Sequence, residues 1–295
     1  MKLAILLQCH KNPKQINMLI QTLKHPDIDI YVHVDQKSNI KDDIMKNKQV
    51  FILPDELRVD VQWGKFSQVE ASLNLMEYAS RKKAYDFYWI CSGQDFPIKK
   101  VDEIVRFFET HPQNCFRFWE SKNFQGIENN LDKRNTIYYP LWILGNQMPR
   151  RILKRLWIEL TGGYYKTFKL FRRRYSYKLQ SYFGSSWFAV TQETWLWMKT
   201  YLENHPQMIQ YYKNCNCPDE SFFHTLVMAS PYAHQMTDYL HYIDFPKGSN
   251  SPRILQSEDY GDMIASKYLM ARKFDLNSQP DVIKKLAAYC TCSDD

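Results

Sequence analysis

The sequence predicts an α/β fold with a mostly parallel central sheet flanked by helices, and three observations carry that prediction. Apolar runs rich in strand-forming residues, at Lys2–Gln8, Ile28–Val34 and Tyr85–Ile90, alternate with segments of helical period. Each run opens at its carboxyl end into a polar cluster: Cys9-His10-Lys11-Asn12-Pro13, His33-Val34-Asp35-Gln36-Lys37, and Cys91-Ser92-Gly93-Gln94-Asp95. Sheets of this kind bind ligands beyond the carboxyl ends of their strands. At 295 residues, 44% of them hydrophobic, the chain is long enough for one large domain with a sizeable core.

In chain order, Ile16, Leu19, Ile20 and Leu23 recur at helical spacing after the first strand. Ile40–Lys46 reads as helix and Val50–Leu53 as extended. Trp63-Gly64 precedes an amphipathic helix from Ser67 to about Ala84, with Val69, Leu73, Leu75, Met76 and Tyr78 on its buried side. Gly93 beyond the third strand lets a ligand approach the backbone, or marks an ordinary turn that Asp95 caps. Val101–Thr110 is predicted helical and Cys115–Trp119 extended. From Glu120 to Asn146 periodicity fades, which predicts a loop-rich insertion contacting substrate. Phe183–Val190 is a Gly/Ser turn entering a strand, Trp195–Glu203 a helix, Tyr239–Asp244 extended, and Asp259 to about Arg272 a C-terminal helix.

The net charge of 39 − 32 = +7 suits acidic partners such as phosphates or an anionic membrane. Aromatic residues at 15% suit stacking on flat ligands. The basic, aromatic stretch Arg150–Lys178 has the composition of a peripheral contact with an anionic membrane; a solvated basic face is its plainer reading, and nucleic acid is not expected. The seven cysteines favour reduced thiols, and the C-x-C pairs Cys215/Cys217 and Cys290/Cys292 match structural zinc spacing poorly. No run reaches the length of a membrane span.

Cys217-Pro218-Asp219-Glu220-Ser221-Phe222-Phe223-His224-Thr225-Leu226 sets two carboxylates against a run that must be largely buried. Pro218 fits the first turn of a helix, placing Asp219 and Glu220 near its positive end while Phe222, Phe223 and Leu226 turn inward. The acids then serve the helix dipole, or one of them is a positioned base.

His33-Val34-Asp35-x-Lys37, Trp63-Gly64, Cys91–Lys99, Gly184-Ser185-x-Trp187-Phe188, Pro218-Asp219-Glu220-x-Phe222-Phe223, Ser251-Pro252-Arg253 and Arg272-Lys273-Phe274-Asp275 follow one another in a familiar order. Over about residues 1 to 280 the chain resembles the core-2/I-branching β-1,6-N-acetylglucosaminyltransferases and the related peptide O-xylosyltransferases. The resemblance implies a GT-A-like glycosyltransferase that moves a sugar from a UDP-sugar to a glycan or lipid-linked glycan hydroxyl, with inversion and without a divalent metal. UDP-GlcNAc is the first expectation for the donor, UDP-xylose or another UDP-hexose the next, and a non-catalytic anionic-membrane-binding module the alternative. Residues 1–120 would form the nucleotide-sugar half, 121–180 the basic insertion, 181–280 the catalytic and acceptor half, and 281–295 a tail.

By the same resemblance Glu220 is the base, and Arg253 and Lys273 balance the diphosphate. His10 and Asp35 lie near uracil and ribose, Asp95 lies near the donor sugar or ribose, and Trp63 and Trp187 wall the donor pocket. Tyr242 is the acceptor platform, with Glu120 a further acceptor residue. The sole Asp-x-Asp, Asp27-Ile28-Asp29, precedes its strand, on the wrong edge for a nucleotide metal. The anchor, stem and disulfides of the animal branching enzymes have no counterpart here. That absence suggests a bacterial-type, cytoplasmic protein, peripheral at the inner face of the cell membrane and acting in cell-surface polysaccharide synthesis. The run Glu220-Ser221-Phe222-Phe223-His224-Thr225 is closer to the xylosyltransferase pattern, whereas Arg253 is closer to the branching one.

Overall fold

A computed structural model describes residues 1–119, 134–144, 147–171, 179–246 and 251–292, with backbone alone at 164, 165, 168 and 169. Glu120 therefore lies outside the described residues, as does most of the insertion that follows it. The strands are β1 (Leu3–Cys9), β2 (Ile28–Val34), β3 (Val50–Ile52), β4 (Phe87–Ser92), β5 (Asp95–Pro97), β6 (Asn114–Cys115), β7 (Ala189–Thr191), β8 (Met236–Thr237), β9 (His241–Ile243) and β10 (Met270–Arg272). Seven of them form the central sheet in the order β3-β2-β1-β4-β7-β6-β8. β1 pairs in parallel with both β2 and β4, and β7 runs against its two neighbours. The expected α/β class, mostly parallel, is borne out.

Side-chain alternation along β1 builds the core on both faces. Leu3, Ile5 and Leu7 face one apolar layer and Ala4 and Leu6 the other. Helices α1 (Pro13–Thr22), α3 (Val101–Thr110) and α10 (Pro280–Thr291) cover the first layer, through Ile16, Leu19, Ile104, Phe108, Ile283 and Leu286. Helices α2 (Ser67–Lys82), α6 (Gln192–Asn204) and α8 (Phe222–Met228) cover the second, through Leu75, Met76, Trp195, Met198, Phe222 and Phe223. A fully buried Leu or Ile of this kind contributes about 1.5–3 kcal/mol, so β1 is the axis of the fold.

Three expectations are corrected. Lys41–Asp43 forms only a 3-10 turn, because the Asn17 side chain bonds Asp43 O and Met45 N at 2.8 Å each and ends it. The helix expected over 259–272 stops at Ala265 (α9, Tyr260–Ala265), where the Ser266 hydroxyl donates to Met263 O. The chain then extends into β10, which runs antiparallel to β5 and parallel to β9 in a second, three-stranded sheet. The stretch expected as a tail is largely α10, with Val282, Ile283 and Leu286 buried.

Candidate active site

Parallel pairing brings the ends of β1, β2 and β4 side by side. Asp35 N donates to Cys9 O at 2.8 Å and Gly93 N to Gln8 O at 3.0 Å. Asp35 is buried, and its carboxylate accepts from Lys37 N at 3.1 Å and lies 3.3 Å from Lys37 Nζ. His10 stays exposed at the end of β1. Partial desolvation first, then Lys11, Lys273 and Arg272, disfavours its charged form, with Asp35 opposing. Residues 10, 35 and 273 thus share one electrostatic neighbourhood.

The small sheet supplies the next layer. Arg272 stands opposite Asp95 in the β5–β10 register, and its Nη1 lies 2.6 Å from the carboxylate. Asp95 is fully enclosed; it also accepts from Ser92 N at 2.7 Å and stands 3.5 Å from His241 Nε2. Burial alone would raise its pKa, yet Arg272, His241 and Ser92 N hold it below the usual carboxylate range. The Arg272 guanidinium also lies 4.4 Å from the Trp187 ring centroid. Any part Asp95 takes in donor binding is therefore carried through Arg272. Cys91, Asp95 and His241 bring potential metal-ligating atoms within 4.8 Å of one another. Arg272 already occupies that carboxylate as its cation.

The acidic segment folds differently from a plain helix start. Pro218–Glu220 is a 3-10 turn entered through Cys217 at φ 55°, and α8 begins separately at Phe222. Two glycines from distant segments hold this turn. Cys217 N donates to Gly64 O at 3.0 Å, and Gly184 N donates to Glu220 O at 2.8 Å. Gly64 has φ +73°, which suits glycine. At Gly184 a Cβ would fall 1.8 Å from Arg117 O and 2.4 Å from His224 Nε2, so only glycine fits. Ser186 Oγ donates to Asp219 at 2.7 Å, leaving Asp219 occupied. Glu220 pairs with Arg134. Burial pushes the Glu220 carboxyl up to about 7, with Arg134 pulling down and Asp219 pushing up.

Arg134 is the residue that sequence reasoning missed. It stands in an aperiodic insertion, 86 positions before its partner, so no spacing could have flagged it. Helix α4 (Met148–Leu160) flanks the same place. Arg150 donates to Gln62 Oε1 at 2.9 Å, and Lys154 sits 5.0 Å over the Tyr139 ring. Burial disfavours the charged form of Lys154, with Cys217 opposing and Arg134 adding.

The remaining expected residues divide into two groups. Trp63 is 58% exposed on the loop that Gly64 ties to Cys217. Lys273 is half-buried, its charge disfavoured by burial, Arg272 and Lys11 and favoured by Asp275, and its ammonium makes no ion pair among the described residues. Phe274 N donates to Gln94 O at 2.9 Å, which pins Lys273 beside the end of β4. Arg253, by contrast, is engaged by Asp244 and by both oxygens of Asp259, at 2.8 and 2.5 Å. Tyr242 is half-buried against Tyr268, in the field of Asp259, Asp262 and Asp244. Among the described residues no direct hydrogen bond or ion pair joins Tyr242 and Arg253 to the Glu220 turn. The C-x-C pairs lie apart, Cys217 against Gly64 and Cys290 donating to Pro97 O at 3.3 Å.

Comparison with known proteins adds a family. The family described as Core-2/I-Branching enzyme matches residues 4–264. Xylosyltransferase 1 of Rattus norvegicus is 22% identical over 98% of this chain and 35% of its own length. Xylosyltransferase 2 of Bos taurus is 23% identical over 98% and 33%. The chain thus spans about a third of the curated relatives it matches. Among solved structures, mouse xyloside xylosyltransferase 1 aligns with a TM-score of 0.42 at 7% identity, over 92% of this chain and 97% of that one. The galactosyltransferase LgtC aligns at 0.35 and 8%, over 99% and 98%.

Proposed function

The chain belongs to the core-2/I-branching enzyme family, and on that premise we propose that it is an inverting glycosyltransferase with Glu220 as its base. The donor is a UDP-sugar, GlcNAc before xylose, and the acceptor a hydroxyl of a glycan or lipid-linked glycan in cell-surface polysaccharide synthesis, on the cytoplasmic side. One observation carries the reading: a carboxyl raised to about 7 by burial sits on a turn tied by backbone hydrogen bonds to Gly64 and Gly184. A group titrating near neutrality, fixed in place, is what a general base requires.

In the proposed displacement the acceptor oxygen attacks the sugar C1 from the face opposite UDP. Its proton passes to the Glu220 carboxylate, the C1–oxygen bond to the phosphate breaks, and UDP leaves with the bonding electrons. The single base separates this chemistry from glycoside hydrolysis, which needs two cooperating carboxyls. Asp219 does not supply a second, being held by Ser186. Departing charge needs cations placed in advance. Lys273, free of an ion pair among the described residues, suits that role directly, whereas Arg253 acts as part of a cluster with Asp244 and Asp259. Arg272 on Trp187 suits a donor wall that carries charge.

We propose that no divalent metal takes part. The Asp27-Ile28-Asp29 run supports this from its position: Asp29, at the start of β2, accepts from Tyr85 Oη and Lys83 Nζ at 2.7 Å each. Activity that vanishes in EDTA and returns with Mn2+ overturns that part. The central test is Glu220→Gln. Turnover of a panel of UDP-sugars is expected to fall by ~10²–10⁴-fold, while UDP still raises the melting temperature. Near-normal turnover rules out Glu220 as the base.

A further inference from the structure

Helix α4 has two faces of opposite character. Arg150, Lys154, Trp157 and Ile158 turn toward the body of the protein. On the outer side Met148, Ile152, Leu156 and Leu160 follow one another every fourth residue, between 46% and 87% exposed. Steps of four drift by only ~40° each on a helix, so these side chains form a continuous apolar stripe along the whole element, roughly 20 Å long. Leu153 widens it, and Trp142 in the preceding turn is 57% exposed. Exposed Arg151 and Arg155 border the stripe together with Glu159, the only acid on the helix, which pairs with Arg155 at 2.9 Å and leaves the helix three net positive charges from Arg150, Arg151, Lys154, Arg155 and Glu159. Contiguous apolar surface of this kind is uncommon on a chain that meets only water.

We infer that the outer face of α4 docks on an anionic lipid bilayer, lying in the interface with the stripe among the acyl chains and the arginines among the headgroups. Charge decides between the occupants. A second copy of this chain would bring one net positive helix against another on a protein already at +7, whereas anionic headgroups neutralise that charge. Among the described residues no helix is long and apolar enough to cross a membrane, so the contact is peripheral. The inner face of the same helix reaches the Glu220 turn through Lys154, in the field of Arg134 and Cys217. The bilayer would then lie about a helix diameter, ~10 Å, from that turn. On the transfer reading above, this suits an acceptor held in lipid.

The test is sedimentation with vesicles of phosphatidylcholine, with and without about a third phosphatidylglycerol, in the absence of any donor. The protein is expected to pellet with the anionic vesicles and much less with the neutral ones, and to be released by salt. Arg151→Glu with Arg155→Glu should weaken partitioning by about 5-fold or more per site, and Ile152→Glu with Leu156→Glu by at least ~10-fold. All four positions are exposed, so unchanged melting curves are expected to show that the fold is kept. A wild-type protein that stays in the supernatant overturns the inference. So does binding that ignores Ile152→Glu with Leu156→Glu, or a concentration-dependent dimer in light scattering that Leu156→Glu abolishes without any vesicle binding. Because no turnover is read, these failures leave the transfer reading standing, and an inactive protein leaves the docking standing.

Discussion

Replacing Arg134 by Gln is expected to move the acid limb of the pH–rate profile upward. In the proposed role Glu220 must be deprotonated to accept the acceptor's proton, so on that reading kcat/KM is full above its pKa and falls tenfold per pH unit below. In the native protein burial places that pKa at about 7, with Arg134 drawing it down. The two side chains are 26% and 28% exposed, between bulk water and a dry interior. At an effective dielectric of about 20, unit charges ~4 Å apart interact by about 4 kcal/mol. Lost solvation takes back much of this, and a neighbouring cation ordinarily depresses a carboxyl by about 1–3 units. A rise of ~1–2 units follows, or ~1.4–2.7 kcal/mol at about 1.36 kcal/mol per unit. Half-maximal activity then moves from near pH 7 to between about 8 and 9. Arg134→Lys keeps the charge and should keep the limb near its native position. Donor turnover measured from about pH 5.5 to 9.5 reads the shift. A limb that stays in place or moves down, or a uniform loss of rate at every pH, refutes the coupling of Arg134 to Glu220.

Two further outcomes concern the frame around the site. Gly184→Ala drives a methyl into Arg117 O and the His224 ring, and should cost about 2–3 kcal/mol in urea unfolding; a wild-type midpoint contradicts the close approach. Arg272→Met leaves the enclosed Asp95 carboxylate with only Ser92 N and His241 beside it, and should cost about 3–5 kcal/mol at pH 7. Arg272 is the largest of the influences that hold Asp95 below its usual range against burial, ahead of His241 and Ser92 N. The native form therefore loses this contribution as pH falls through the depressed pKa, while the variant's carboxyl takes up its proton at higher pH. The gap between the two narrows toward acid, and a gap of constant size speaks against a charge effect.

The sheet was legible because strand and helix periods are local properties. β2 and α3 match the expected spans, and His10, Asp35 and Gly93 stand at the strand ends where the alternation put them. Where tertiary partners decide the outcome, local pattern misled. Met270–Arg272 reads as the end of a helix, yet it is a strand because Asp95 stands opposite Arg272. Glu220 is singled out as the proposed base only through the order of the motifs around it, since two acids before an apolar run also suit a simple helix start. The need for glycine at Gly184 comes from an Arg117 carbonyl 67 positions away, as 184 − 117 = 67.

The two glycine contacts on the Glu220 turn also set the rules for building chimeras with relatives of this chain. A block spanning residues 181–230 would carry Gly184 together with Glu220, but it would leave Gly64, the acceptor for Cys217 N, in the recipient. Grafts cut at that boundary transplant one hinge of the turn and borrow the other. The block is therefore best exchanged with residues 62–65 moved in the same step, so that the carboxylate arrives with both of its supports.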